Sequence, residues 1–151
     1  MIHFQYFPEH RLYLSIFCGD ITTEQLSDHI SKVELLESDD KERFALTYLC
    51  DNAKNSGLDA NDIISAGERM RHARIRGNGK HAIVARTMLT YGFARMYQFA
   101  TKLDSKSDMT KVFGRDGLDD AIYWLGLDEF SSELKTLVTE CLENNSECGC
   151  D

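Results

Sequence analysis

Proline is almost missing from this chain: one residue in 151, too few for a proline-rich linker or a low-complexity segment. No apolar run approaches the roughly 20 residues that a membrane span needs. The start, Met1-Ile2-His3-Phe4-Gln5, lacks a charged segment followed by an apolar one, so no export signal is expected and a cytoplasmic location is. Basic residues are also short. Lys and Arg number 17 against 25 Asp and Glu, a formal net charge of -8, and such a surface repels phosphates and argues against general nucleic-acid binding.

Chemical signatures are scarce as well. The five His, at positions 3, 10, 29, 72 and 81, share no metal-ligand spacing, and no Ser or Cys stands in a nucleophile elbow. Gly77-Asn78-Gly79-Lys80 precedes a strand rather than a helix and lacks the full phosphate-loop pattern. No catalytic constellation, metal or cofactor is therefore expected, and the chain reads as a non-enzyme. Five Cys are an odd number for a disulfide framework. Cys18 and Cys50 fall within apolar strand runs, where a thiol packs as a small hydrophobe.

What the chain has is order. At 42% hydrophobic residues and this length, one domain can bury on the order of two-thirds of the surface its unfolded form would expose. Phe4 and Tyr6, then Leu12, Leu14 and Ile16, alternate with more polar residues around a Pro8-Glu9-His10 corner, which predicts a β-hairpin. Thr22-Thr23-Glu24-Gln25 has capping-box spacing, and Leu26, Ile30, Val33 and Leu36 continue as one helical stripe.

Phe44 to Cys50 reads as a buried strand running into a helix capped by Asp59, with Ile63, Ala66, Met70 and Ala73 in line. His81 to Ala85 predicts another strand. Thr87 then caps a third helix with Leu89, Phe93, Met96 and Ala100 on its inner face. Lys111-Val112-Phe113 predicts a last strand, and Asp116 opens a fourth helix that stops at Gly126. A fifth helix carries Phe130, Leu134, Leu137 and Cys141.

Strands alternating with helices predict an α/β fold: a mixed, mainly parallel sheet of about five strands opened by a β-hairpin, four helices, and an extra C-terminal helix. The domain is expected over residues 1–126, with 127–151 an appendage rather than a second domain. The stripe of its helix covers either the sheet or a second protomer, so a homodimer is one expectation.

Candidate binding residues follow from this layout. In open α/β sheets ligands and partners gather at the carboxyl ends of the strands, which here means Asp51, Asn55, Ser56 and Gly57. Residues 68–95 carry seven basic side chains against Glu68 alone. Of these Arg69, Arg71, Arg74, Arg76 and Lys80 form a candidate anion or partner patch, with a dipole-matched solvated face as the plainer alternative. The third helix is crowded with soft and aromatic side chains, among them Tyr91, Phe93 and Met96, which suit either a core or an apolar pocket. Arg95 among them is expected to pair with Asp51. Cys148 and Cys150 could bind a soft metal only with ligands from elsewhere.

Three stretches together resemble the STAS domain, the fold of bacterial anti-sigma-factor antagonists, and most closely its small stand-alone relatives often grouped with CRAL-TRIO-type lipid-binding modules. Asn55-Ser56-Gly57-Leu58 after Asp51 is similar to the family's Asp-Ser-Ser-Gly-Leu loop. Tyr91-Gly92-Phe93-Ala94-Arg95-Met96 is similar to the third-helix signature of the relatives. Phe113 with Ala121-Ile122-Tyr123-Trp124-Leu125-Gly126 is similar to their closing strand and helix.

The resemblance implies a non-catalytic regulatory module that binds a protein partner through the edge at 51–62. The alternative is a small carrier or sensor of an apolar or anionic, lipid-like ligand held between the third helix and the sheet. Asn55 stands where the family has its phosphorylated Ser, which leaves Ser56 as the remaining acceptor for a phosphoswitch.

Overall fold

The computed structural model describes residues 1–36, 42–54, 57–73, 79–102 and 109–146. The hairpin forms as its alternation predicts. β1 (Ile2–Phe7) pairs antiparallel with β2 (Leu12–Phe17) across a single 3-10 turn at Pro8–His10. β3 (Phe44–Leu49), β4 (Lys80–Ala85) and β5 (Met109–Phe113) then add in parallel, giving one five-stranded sheet in the order β1-β2-β3-β4-β5.

That order fixes where the helices go. Each crossover steps one strand in the same direction, and right-handed connections place every crossover helix on the same face. α1 (Thr23–Glu34), α2 (Ala60–Ala73) and α3 (Met88–Lys102) accordingly share one face. α4 (Leu118–Leu125) and α5 (Ser131–Ser146) return to the opposite one.

The interior strands are covered on both sides, so both alternating sets of side chains are buried. Leu12, Leu14, Ile16, Leu46, Tyr48, Ala82 and Val84 meet Ile122, Leu125, Phe130, Leu134 and Val138 on the α4–α5 face. Tyr13 and Ala45 meet Ile30, Val33, Ala66 and Met70 on the other. The polar neighbours that gave β2 its alternation, Tyr13 and Ser15, are thus buried rather than solvated, as expected where helices cover both faces of a sheet.

The fifth helix belongs to this core. Leu134 and Val138 are fully buried, and the Phe130 ring at its entrance packs edge-on to Phe7 at 5.1 Å and stacks on His10 at 4.1 Å. Of the two surfaces its stripe could cover, it covers the sheet.

Caps agree with the sequence in three of four helices. Thr22 and Gln25 exchange reciprocal bonds at 3.2 Å. Asp59 and Asp62 do the same at 3.0 and 2.9 Å, and Thr87 accepts from the Thr90 amide at 3.2 Å. Asp116 does not cap α4. Gly117 is its N-cap, without a side-chain bond, and Asp119 and Asp120 supply the first-turn negative charge. Gly126 ends that helix at φ 74, a left-handed conformation in which glycine has no Cβ to clash.

The buried face of α3 is rotated from the expected one. Leu89 is 59% exposed, whereas Thr90, Ala94, Gln98, Ala100 and Thr101 face inward. Large apolar side chains surround this helix, so periodicity alone does not choose a face. Packing favours the small residues because α2 approaches closely: a Cβ on Gly67 would lie 2.7 Å from that of Ala100. The inward polar groups are satisfied locally, with Gln98 donating to the Thr110 carbonyl at 2.6 Å and Thr101 to the Gln98 carbonyl at 2.8 Å.

Candidate functional site

The carboxyl edge of β2 and β3 is pinned beyond the strands themselves. The Cys50 amide donates to Phe17 O at 3.0 Å, Lys54 to Gly19 O at 2.8 Å, and Ile21 to Lys54 O at 2.8 Å. The Thr23 hydroxyl donates to Gly57 O at 3.0 Å. These bonds tie Cys50, Lys54 and Gly57 to Phe17, Gly19, Ile21 and Thr23, at and just before the start of α1. They also bury Ile21 and Ala53 behind this passage, at 2% and 6% exposure.

Under that passage, between the sheet and α1, α2 and α3, lies a half-enclosed cavity of about 120 Å³. Its wall is mostly apolar: Ile30, Val33, Ile83, Ala66 and Ala94 form the interior, and Leu58, Ile63 and Phe93 stand partly exposed towards the carboxyl edge. A cavity of this order accommodates a single ring or a short branched chain, as apolar protein cavities of similar size do.

Tyr13, His29, Thr47, His81, Thr90 and Tyr97 bring the polar groups of the wall. His81 on β4 shares a hydrogen bond with the Thr47 hydroxyl at 2.9 Å, and Thr90 is engaged with Thr87. His29 on α1 shares one between Nε2 and the Ser15 hydroxyl at 3.3 Å. Its ring lies edge-on to Phe4 and Phe17, each at 5.4 Å. Burial, helped by nearby Lys32, lowers the His29 pKa from 6.5 to about 4, so the imidazole is neutral near pH 7.

A second feature sits on the rim. Arg86, just past β4, donates to Asp51 at 3.0 Å and to the Arg115 carbonyl at 3.0 Å, while the Arg115 guanidinium lies 3.6 Å from the same carboxylate. The hydrogen bond from Arg86 is the main reason the Asp51 pKa is lowered, and Arg86 is raised in return. Asp51 therefore pairs with Arg86 and Arg115 rather than with Arg95. Arg95 donates instead to Gln98 at 2.7 Å, one turn along its own helix, from an exposed position on α3.

The other candidates separate. Asn55, Ser56, Arg74, Arg76, Cys148 and Cys150 lie outside the described residues. Arg69 clamps α2 to α1 through Glu34 at 2.9 and 3.3 Å, with Ser27 and Ser31 alongside. Lys80 points to the opposite face, donating to Trp124 O at 2.9 Å over the indole ring, so it forms no patch with Arg69. Phe93 is on the cavity wall; Tyr91 and Met96 are not among its lining. At the entrance to α2 the Asp59 and Asp62 amides are each taken by the other's carboxylate.

Cys18 and Cys50 are buried thiols, in no disulfide among the described residues, as their strand runs suggest, and α5 brings Cys141 against the same cluster. Hydrogen bonding to Cys18 and burial push the Cys50 thiol up, and burial pushes Cys141 up. Such thiols are poor nucleophiles. Among the described residues no three His, Cys, Asp or Glu side chains group as a metal site, and no helix is long and apolar enough to cross a membrane.

No known family model matches the chain, and neither a curated protein nor a solved structure matches it.

Sequence reasoning named the edge and Phe93 but not His29, Arg86 or Arg115. None of the three belongs to a motif. His29 falls beside the α1 stripe only because β1 and β2 place Phe4, Ser15 and Phe17 around it.

Proposed function

We propose that the protein is a non-catalytic carrier or sensor of a small, mainly apolar ligand held between α3 and the sheet. The observation that carries this reading is the cavity of about 120 Å³ under the pinned carboxyl-edge passage. It has the usual character of a ligand site, concave and apolar with a few polar groups, and it lies at the strand ends where α/β sheets bind ligands. The likeness to small STAS and CRAL-TRIO-type modules supports the same reading. The test is native mass spectrometry of protein from its own host, alongside amide NMR with toluene as probe. A released small molecule, or shifts at Ile83, Ala94 and neighbouring wall residues, is the expected result. A bare chain whose wall amides do not respond to toluene refutes the reading.

A second reading, partner docking through 51–62, is favoured by the fixed and exposed Asp51 carboxylate between Arg86 and Arg115. Leu58 belongs to both the cavity wall and this edge, and Ile63 on the wall directly follows it, so an occupied cavity would alter the surface a partner reads. In this reading the edge serves as the docking face of a STAS-like module. Asp51→Ala would weaken capture of a partner from host extract; unchanged capture of the same identified partner would remove the docking role.

A further inference from the structure

We propose that the outer face of α3 docks onto the surface of a lipid bilayer, lying on it rather than crossing it, and that anionic headgroups strengthen the contact. The helix is turned inside out. Its uncharged polar side chains Thr90, Gln98 and Thr101 are buried, whereas Met88 and Phe99 are 90% and 66% exposed and Leu89 stands out beside them. Met88, Gly92, Met96 and Phe99 follow at intervals of four, four and three, so they share one face along the helix. Nothing among the described residues packs within 4 Å of where a Cβ on Gly92 would stand, so the middle of that face is open too. A lone exposed apolar side chain is ordinary, but a continuous stripe of them marks an interaction surface.

Charge chooses the occupant. α3 carries Arg95 and Lys102, both exposed, and no Asp or Glu, whereas each of the other four α-helices carries at least two acidic residues. A two-fold pair of this chain through α3 sets those cations against their own copies, with no carboxylate on the face to answer them. Protein interfaces are stitched by about one hydrogen bond per 100–200 Å², and α3 turns its Thr and Gln side chains inward. A lipid surface asks for no such stitching: apolar side chains enter the acyl boundary and cations meet phosphate headgroups. The formal charge of -8 on the whole chain does not prevent the approach, because charges beyond about 8 Å are largely screened at physiological salt. Leu89 stands one turn ahead of Phe93 on the cavity wall, so docking sets the cavity beside the bilayer, but the docking itself does not depend on the cavity reading.

The test is sedimentation of the full chain with sucrose-loaded vesicles, either phosphatidylcholine alone or phosphatidylcholine with roughly 30% phosphatidylserine. Binding to both is expected, tighter with phosphatidylserine, and salt should remove the difference. Met88→Ser with Phe99→Ser should weaken binding to both vesicles at least about tenfold, and Gly92→Leu, which fills the open middle of the stripe, should tighten it about threefold to tenfold. Arg95→Gln with Lys102→Gln should abolish the phosphatidylserine preference. Tyr123→Ser, at an exposed aromatic on α4 across the sheet, should change nothing. The gain in Gly92→Leu keeps the test decisive even where a loss reflects misfolding. Absence of binding to either vesicle overturns the inference, as does binding that ignores both the Met88, Phe99 pair and Gly92→Leu or that falls equally in Tyr123→Ser. A doubled mass by light scattering that the Met88, Phe99 pair abolishes gives the face to a second copy and overturns it too. None of these outcomes alters the toluene result, so the cavity reading stands or falls separately.

Discussion

Filling the cavity should stabilise the protein while the same substitution two turns along the same helix should destabilise it. Ala94 lines the cavity and Ala100 does not, though both are buried in α3, at 4% and 0% exposure. Ala94→Leu adds three carbons to empty space. At about 0.8 kcal/mol per buried methylene this gains about 2.4 kcal/mol, and ordering the leucine side chain costs about 0.5–1 kcal/mol. The net expectation is a gain of about 1–2 kcal/mol. It stays below the roughly 3 kcal/mol implied by about 24 cal/mol per Å³ over about 120 Å³ of void. Ala100 meets α2 where a Cβ on Gly67 would lie 2.7 Å from its own, so Ala100→Leu overpacks and should lose about 1–3 kcal/mol. Urea unfolding followed by circular dichroism measures both, and toluene binding should vanish in Ala94→Leu. Comparable losses in the two variants would show that the space beside Ala94 is not available to a side chain and would refute the cavity argument.

Other consequences are equally direct. The folded pKa of His29 lies below its unfolded value, so the unfolded chain binds the extra proton. Its contribution is fully present above pH about 6.5 and is lost as pH falls through about 4, amounting to at most about 3 kcal/mol; urea midpoints at pH 7.5 and 4.5 should differ less in His29→Phe than in wild type. Phe130→Ala removes the ring that Phe7 and His10 pack against and should cost about 3–5 kcal/mol, read from the same unfolding curves, whereas a loss under 1 kcal/mol would mean α5 is not part of the core. The Asp51 carboxyl, held down chiefly by Arg86, should titrate below free aspartate by carbon NMR and return towards it in Arg86→Ala. Being an exposed pair, it should change stability by no more than about 1 kcal/mol. Gly79→Ala places a Cβ onto the Arg43 carbonyl, and backbone cannot yield as a side chain can. The variant should fold poorly, and a melting temperature equal to wild type would refute that close approach.

Much of the architecture was legible because it rests on local rules. Hairpin alternation, the Thr22–Gln25 box, the Asp59 and Thr87 caps and the glycine stop at 126 each depend on residues within a few positions of one another. Strand and helix order then fixed the parallel sheet through the handedness of crossovers. The third helix was not legible in the same way. With Met88, Leu89, Phe93, Met96 and Phe99 distributed around it, composition offered several inward faces, and only the tight approach of α2 at Gly67 selected the one bearing Ala94, Gln98 and Ala100.

The site divides along the same line. By itself the sequence determined that this is an α/β chain with an excess of acidic residues whose passage from the third strand into a helix leaves the carboxyl edge of the sheet, since periodicity, capping and charge are properties of neighbouring residues. Tertiary structure alone decided that Asp51 meets Arg86 and Arg115 rather than Arg95, that α5 closes the core, and that a cavity forms beside His29. Those depend on how far apart packed elements come to rest, and residues 29, 47, 63, 83 and 94 become neighbours only once sheet and helices are assembled.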